Sequence, residues 1–249
     1  MLRTRLTLAV ALVSLAPFGF AVTAQETVPA FVSAAISDAG RSAEEKEADA
    51  IRQPADTISF STMKPGDKVA DVLPGRGYYT RIFSNVVGAQ GRVYAVVPSE
   101  NMERRATSAD GVNAIAAEAA HSNVSVISPS RTAIATPEAI DIAWTSDNYH
   151  DLRNGGGVET ITSFNASIFN SLKPGGVYLV IDHLAADGAT DEEKRETHRI
   201  DRETIVSEVT AAGFVLEAES DALARVDDNL SEHSSFASSQ IVLRFRKPQ

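Results

Sequence analysis

No cysteine occurs among the 249 residues. Disulfides, thiolate catalysis, cysteine-ligated zinc and a lipid-modified N-terminal cysteine are therefore all excluded. Basic residues are in deficit, 23 Lys and Arg against 33 Asp and Glu, for a formal charge of −10. A chain of that sign is a poor partner for polyanions, so nucleic acid and anionic membrane surfaces are set aside. There is no internal repeat and no low-complexity tract. There is also no H-E-x-x-H or comparable spacing of metal ligands, so no metal site is expected from local sequence, and one would have to be assembled in space.

One apolar run stands out, Leu6 to Phe20. Pro17 interrupts it, and it falls short of the ~20 apolar residues that span a bilayer. Arg3 and Arg5 precede it and Val22-Thr23-Ala24 follows with small residues, the pattern of a cleaved export signal over residues 1–24. The two arginines are not adjacent, which favours the general secretory route over the twin-arginine route. Export to the periplasm and cleavage near Ala24 are expected, and loss of the two arginines takes the charge from −10 to −12. Residues 25–41 read as a lead-in and 42–249 as one α/β domain. Ser42 and Glu45 form a capping-box pattern for a first helix, with Arg41 on its solvated face.

The domain is organised around Lys64 to Ser84. A turn, Lys64-Pro65-Gly66-Asp67, leads into the apolar run Val69 to Leu73, then a turn with Gly75 and Gly77, then a helical pattern carrying Ile82 and Phe83. Strand, glycine turn and helix start together form a place where a ligand can approach the main chain and meet unpaired helix N–H groups. The dinucleotide fingerprint needs a third glycine where this chain has Thr80, so a nicotinamide or flavin site is disfavoured.

Further strands are expected at 91–97, 123–127, 139–144, 177–181, 214–217 and 240–245. Helical patterns lie between them at 101–120 and 158–172, and another ends near Val209. Strands alternating with helices imply βαβ units, a parallel sheet, and ligands beyond the carboxyl ends of the strands. Four polar clusters fall where such sites lie: Asn148-Tyr149-His150-Asp151, Asp182-His183, His198-Arg199-Ile200-Asp201 and Asp227-Asp228. The first two should be neighbours, at the ends of adjacent strands. His121 and His233 read as structural.

Asp71 with Gly75-Arg-Gly77, Asn148-Tyr-His-Asp151, Leu172-Lys-Pro-Gly-Gly176 with Asp182-His183, His198-Arg-Ile-Asp201, Ala212-Gly-Phe214 and Leu243-Arg-Phe-Arg-Lys-Pro248 resemble, as a set, a family of bacterial class I S-adenosylmethionine-dependent methyltransferases, many of them exported. The resemblance spans Ser42 to Pro248. It implies a Rossmann-like fold with a mostly parallel seven-stranded sheet, helices on both faces, and S-adenosyl-L-methionine as cofactor. By that likeness Asp71, Gly75 and Gly77 contact the cofactor. Asn148, Tyr149, His150 and Asp151 face the methyl group and its acceptor. Its place after the fourth strand and an imidazole pKa of ~6.5 suit His150 as the proton acceptor, oriented by Asp151 or Asp182. The resemblance does not identify the small-molecule acceptor or an oligomeric state.

Two departures matter. Val97 stands where such enzymes carry the acid that binds the ribose, and Glu100 can replace it only if the turn folds back. Leu73 stands at the first glycine of the usual motif. Losing a charged hydrogen-bond partner costs ~1.5 to 3 kcal/mol, so weakened cofactor binding is expected. Two further readings stay open: an exported ligand-binding protein that kept the fold and lost the reaction, and a metal-assisted hydrolase built from the histidine and aspartate clusters.

Overall fold

The computed structural model describes residues 28–249. The expected export signal lies outside the described residues. Seven strands form one sheet: β1 (Lys68–Val72), β2 (Arg92–Val96), β3 (Val124–Ile127), β4 (Ile140–Ser146), β5 (Leu172–His183), β6 (Val215–Ser220) and β7 (Gln240–Arg246). Their order across the sheet is β3-β2-β1-β4-β5-β7-β6. The first five run parallel, and β7 pairs antiparallel with both β5 and β6.

The central strands are apolar on both sides because helices cover both faces. On one face Val69, Ile142, Trp144, Leu179 and Ile181 pack against α1 (Ala30–Ile36), α4 (Pro54–Phe60) and α5 (Tyr78–Val87), which α2 (Ala43–Glu47) and α3 (Asp49–Arg52) accompany. α6 (Ser99–Arg104) and α7 (Asp110–Ala116) follow β2, and Val112 and Ile115 of α7 join the same core. On the other face Ala70, Val72, Tyr178, Val180 and Phe245 meet α8 (Tyr149–Ser171) and α10 (Arg202–Ala211). A short charged helix, α9 (Asp191–Thr197), lies between β5 and α10.

The expected strands are present, and five differences stand out. Residues 30–36, expected in the lead-in, form α1, whose Val32 and Ala35 are buried beside α5. The helix after Ser42 has its capping box, but it comes in three pieces: α2 gives way to α3 at Ala48, and α3 ends where Gln53 takes a left-handed conformation (φ 42) and Pro54 opens α4. Arg41 is not solvated: it is 3% exposed and donates two hydrogen bonds to Asp49 (2.5 and 2.8 Å) and others to the carbonyls of Ile36 and Glu45. Residues 101–120 are not one helix but α6, α7 and two 3-10 turns. α8 starts well before the expected Val158, with two helical segments meeting at Gly157, whose φ of 68° only glycine adopts freely.

Candidate active site

The turn after β1 shapes the main crevice. The ladder continues one residue past the strand, with the Leu73 N–H donating to the Val96 carbonyl (2.9 Å), and the chain then turns sharply. Leu73 and Gly75 both have φ 57° and Gly77 has φ 92°. For leucine that backbone costs ~1 to 2 kcal/mol, strain of the kind that gathers at ligand sites. Two cavities open here, of about 850 and 490 Å³. The larger lies over Leu73, Gly75, Arg76 and Val97, and reaches Asp110. The smaller lies over Asp151, Asn154, Arg131, Arg195 and His198. Leu73, Asn101, Arg104 and Asn148 line both, so the two spaces adjoin across these four residues.

The residues singled out in the sequence distribute unevenly around this crevice. Gly75 lines the larger cavity, Asn148 lines both and Asp151 lines the smaller. Asn148 Nδ2 donates to the carbonyls of Leu73 (3.2 Å) and Ser146, tying the end of β4 to the glycine turn. Asp71 lines neither cavity. It is buried behind the turn on the α5 side, accepting a hydrogen bond from Thr80 Oγ1 (2.6 Å), and burial pushes its carboxyl up to about 7, with Thr80 and Arg52 pulling the other way. Gly77 also lines neither, because it faces α7: a Cβ there would come within 2.4 Å of Ile115 Cδ1. Tyr149 turns into the core, its hydroxyl donating to Glu208 (3.1 Å) and accepting from Asn165 (2.8 Å), and it lines neither cavity.

Glu100 does not fold back to replace the missing acid at Val97. Its carboxylate accepts from Ser130 Oγ (2.8 Å) and from the Arg131 N–H (3.0 and 3.1 Å), which hold it on the loop after β3, and it lines neither cavity. Asp110, exposed at the edge of the larger cavity, is the carboxylate that the sequence reading passed over. It begins α7, and no local motif distinguishes it from other helix-start acids.

Beside the crevice four of the five histidines converge. His150 lies 5.7 Å from His183 and 5.5 Å from His198 between ring centroids, and His198 lies 4.6 Å from His233. The first and second polar clusters are neighbours as expected, and the third and fourth join them through Arg199. That buried side chain donates to both oxygens of Asp228 (2.8 and 3.0 Å), to the carbonyls of Leu184 and Glu232, and to Ser238. Next to it a parallel bridge pairs Leu184 with Ile200, which brings His198 to the end of β5. His233 thus packs against the cluster, whereas His121 keeps its structural place, buried beside Ser84 Oγ (2.8 Å).

Asp182 anchors the cluster. Fully buried, it accepts from the His150 backbone N–H (2.8 Å), His150 Nδ1 (2.6 Å) and the His183 N–H (2.7 Å). Burial works against charge on His150, but Asp182 and the neighbouring Asp151 outweigh it and raise the imidazole to about 10. Its Nδ1 is committed to Asp182, its Nε2 lies 3.4 Å from Asp151, and His150 lines neither cavity. His183 moves the opposite way, lowered to about 4 chiefly by burial.

The crevice is basic although the chain is acidic. Arg76, Arg104, Arg105, Arg131 and Arg195 line the two cavities. Arg104, Arg105, Arg131 and Arg195 form no side-chain ion pair with described residues, and Arg131 donates to Asn101 (2.8 Å). Such a field attracts anionic ligands.

The sheet order, the antiparallel β7 and the crevice at the strand ends define the Rossmann-like fold of class I methyltransferases. Solved structures show the same fold at low identity. A SAM-dependent methyltransferase from Aquifex aeolicus is 17% identical, with a TM-score of 0.53 over 76% of this chain and 87% of the other. The glycopeptide N-methyltransferase MtfA is 13% identical, with a TM-score of 0.56 over 81% and 90%. The [4+2]-cyclase SpnF is 16% identical, with a TM-score of 0.57 over 85% and 86%. Residues 25–129, from the lead-in through β3, match the family of protein-L-isoaspartate(D-aspartate) O-methyltransferases. No curated protein matches the chain. The match and the neighbours support a class I methyltransferase that uses S-adenosylmethionine, with its acceptor unidentified.

Proposed function

We propose that the chain is an exported bacterial S-adenosylmethionine-dependent methyltransferase acting on a small-molecule acceptor. The observation that carries this reading is the pair of adjoining cavities. A two-substrate transfer needs two binding spaces that meet at the reacting atoms, and the cavities share a wall of Leu73, Asn101, Arg104 and Asn148. Their volumes suit small ligands. The cofactor takes the larger space, over Gly75, and the acceptor the smaller, over Asp151 and His198. The transfer is an in-line displacement, so orientation across that wall supplies most of the acceleration. Arg104 suits the cofactor carboxylate or an anionic acceptor.

Calorimetric titration of S-adenosylmethionine is expected to give one site per chain, lost in Gly75→Val, where a side chain would enter the cavity. Absence of binding at millimolar cofactor would refute the reading. A second reading, a binding protein that kept the fold, is favoured by Val97 and by the engagement of Glu100 with the 130–131 loop. The fold alone does not decide, since one structural neighbour is a cyclase. Cofactor binding without methyl transfer to any of a broad acceptor panel would support this second reading.

Export rests on the pattern of residues 1–24. It places the protein in the periplasm, with no membrane association after cleavage. No described helix is long and apolar enough to cross a membrane. The acidic chain also argues against nucleic acid as a partner. N-terminal sequencing of the native protein should begin near Gln25, and an intact Met1 would refute export.

A further inference from the structure

We propose that His150, Asp151 and His198 bind a divalent transition-metal ion, zinc by donor type, with an open coordination position toward the smaller cavity. The three side chains offer His150 Nε2, an Asp151 carboxylate oxygen and His198 Nδ1, all within 4.8 Å of one another. Asp151 Oδ1 lies 3.4 Å from His150 Nε2 and 3.2 Å from His198 Nδ1. Ligands ~2.0 to 2.1 Å from a tetrahedral zinc ion are separated by about 3.3 Å, so two of the three edges already have the required length. Two imidazoles and one carboxylate form a mixed nitrogen and oxygen set, which suits zinc better than magnesium or calcium, whose ligands are oxygens.

A second feature points to the same ion. Zinc-ligating histidines donate their other ring nitrogen to a carboxylate, which fixes the ring and its tautomer. His150 does so through Nδ1 to Asp182 (2.6 Å), which leaves Nε2 as the atom aimed at Asp151 and His198. His150 is 4% exposed, so its ring is set by the protein and not by solvent. His198 is held in a left-handed conformation (φ 53) at the end of α9, directly before the buried Arg199 anchor, and His233 packs against its ring. Charge also balances, because a dication with two neutral imidazoles, Asp151 and Asp182 sums to zero.

Asp151 and His198 line the smaller cavity. A fourth ligand from that side would be an oxygen of the acceptor, whose charge the ion would polarise. This role rests on the methyltransferase reading, whereas ion binding itself does not.

The test is titration of zinc chloride into the full chain, purified without a histidine tag and stripped with chelator, in the absence of S-adenosylmethionine. One ion per chain is expected, with affinity at least ~10-fold weaker in Asp182→Asn, as for other residues that orient metal ligands, and weaker still in His198→Ala and Asp151→Asn. Cobalt(II) should give the intense visible bands of a tetrahedral site, absent from His198→Ala. His198 and Asp151 are half-exposed, so both variants should fold, which circular dichroism checks. Zinc binding that is absent, or equal in parent, His198→Ala and Asp151→Asn, would overturn the proposal. Failure of cofactor binding with zinc binding intact would overturn the methyltransferase reading alone.

Discussion

Asp71 and Asp182 are both buried near the carboxyl ends of sheet strands, β1 and β5, with β4 between them, and their surroundings differ. Asp71, on β1, has one hydrogen bond from Thr80 and the more distant charge of Arg52, so desolvation dominates and its carboxyl is pushed up to about 7. Asp182, on β5, accepts two backbone N–H groups and a histidine ring. Burial penalises a carboxylate unless hydrogen bonds and charge replace water. Asp182 therefore acts as the anchor of the histidine cluster, while Asp71 packs behind a turn and lines neither cavity. Position at a strand end does not separate these two roles, but the number of donors around each carboxylate does.

The largest expected effect comes from Asp182→Ala, which strands three buried N–H donors. Breaking such a network by removing one partner costs about 3 to 5 kcal/mol. Thermal denaturation should show a melting temperature lower by ~6 to 20 °C. A drop no larger than that of Asp71→Asn would erase the distinction between the two aspartates.

The next effect is the part of the pH dependence that Asp71 contributes, read as the difference between the parent and Asp71→Asn. Its pKa is ~3.9 when unfolded and about 7 when folded, so the folded state favours the protonated form. The stability it contributes is full below pH ~4, falls as pH rises toward 7 and is flat above, because the unfolded chain releases the proton first. In urea denaturation at pH 5 and pH 8, Asp71→Asn should lose less stability than the parent across that interval and match or exceed it at pH 8. Parallel losses in the two proteins would show that Asp71 is ionised throughout.

The smallest effect sharpens the β1 side. Leu73 holds φ 57° at the mouth of both cavities, and Leu73→Gly removes both that strain and the side chain. Relief is worth ~1 to 2 kcal/mol, partly offset by the greater entropy of glycine in the unfolded chain. Stability should change little, while S-adenosylmethionine affinity measured by titration rises several-fold. Unchanged affinity would mean that the leucine does not narrow the cofactor space.

Local patterns make most of the architecture legible in the chain itself. The apolar runs of β1, β2, β4 and β7, the glycine turn and the capping box at Ser42 depend on neighbours within a few residues, so each appears directly in the chain. Elements that depend on partners were harder to read. Arg41 looks solvated until Asp49 is folded against it, and residues 30–36 look like a lead-in until α5 is there to cover.

The candidate site divides in the same way. Sequence by itself determined where the crevice lies, because strand ends and a glycine turn mark it, and it marked all four polar clusters. Only the tertiary structure decided what each residue does there. Side-chain direction put Tyr149 in the core, Gly77 against Ile115 and Glu100 on the 130–131 loop. It also closed the 48-residue separation between His150 and His198, through the Leu184 to Ile200 bridge and the Arg199 anchor. Contacts so distant along the chain depend on the whole sheet being assembled, and no spacing rule in the sequence records them.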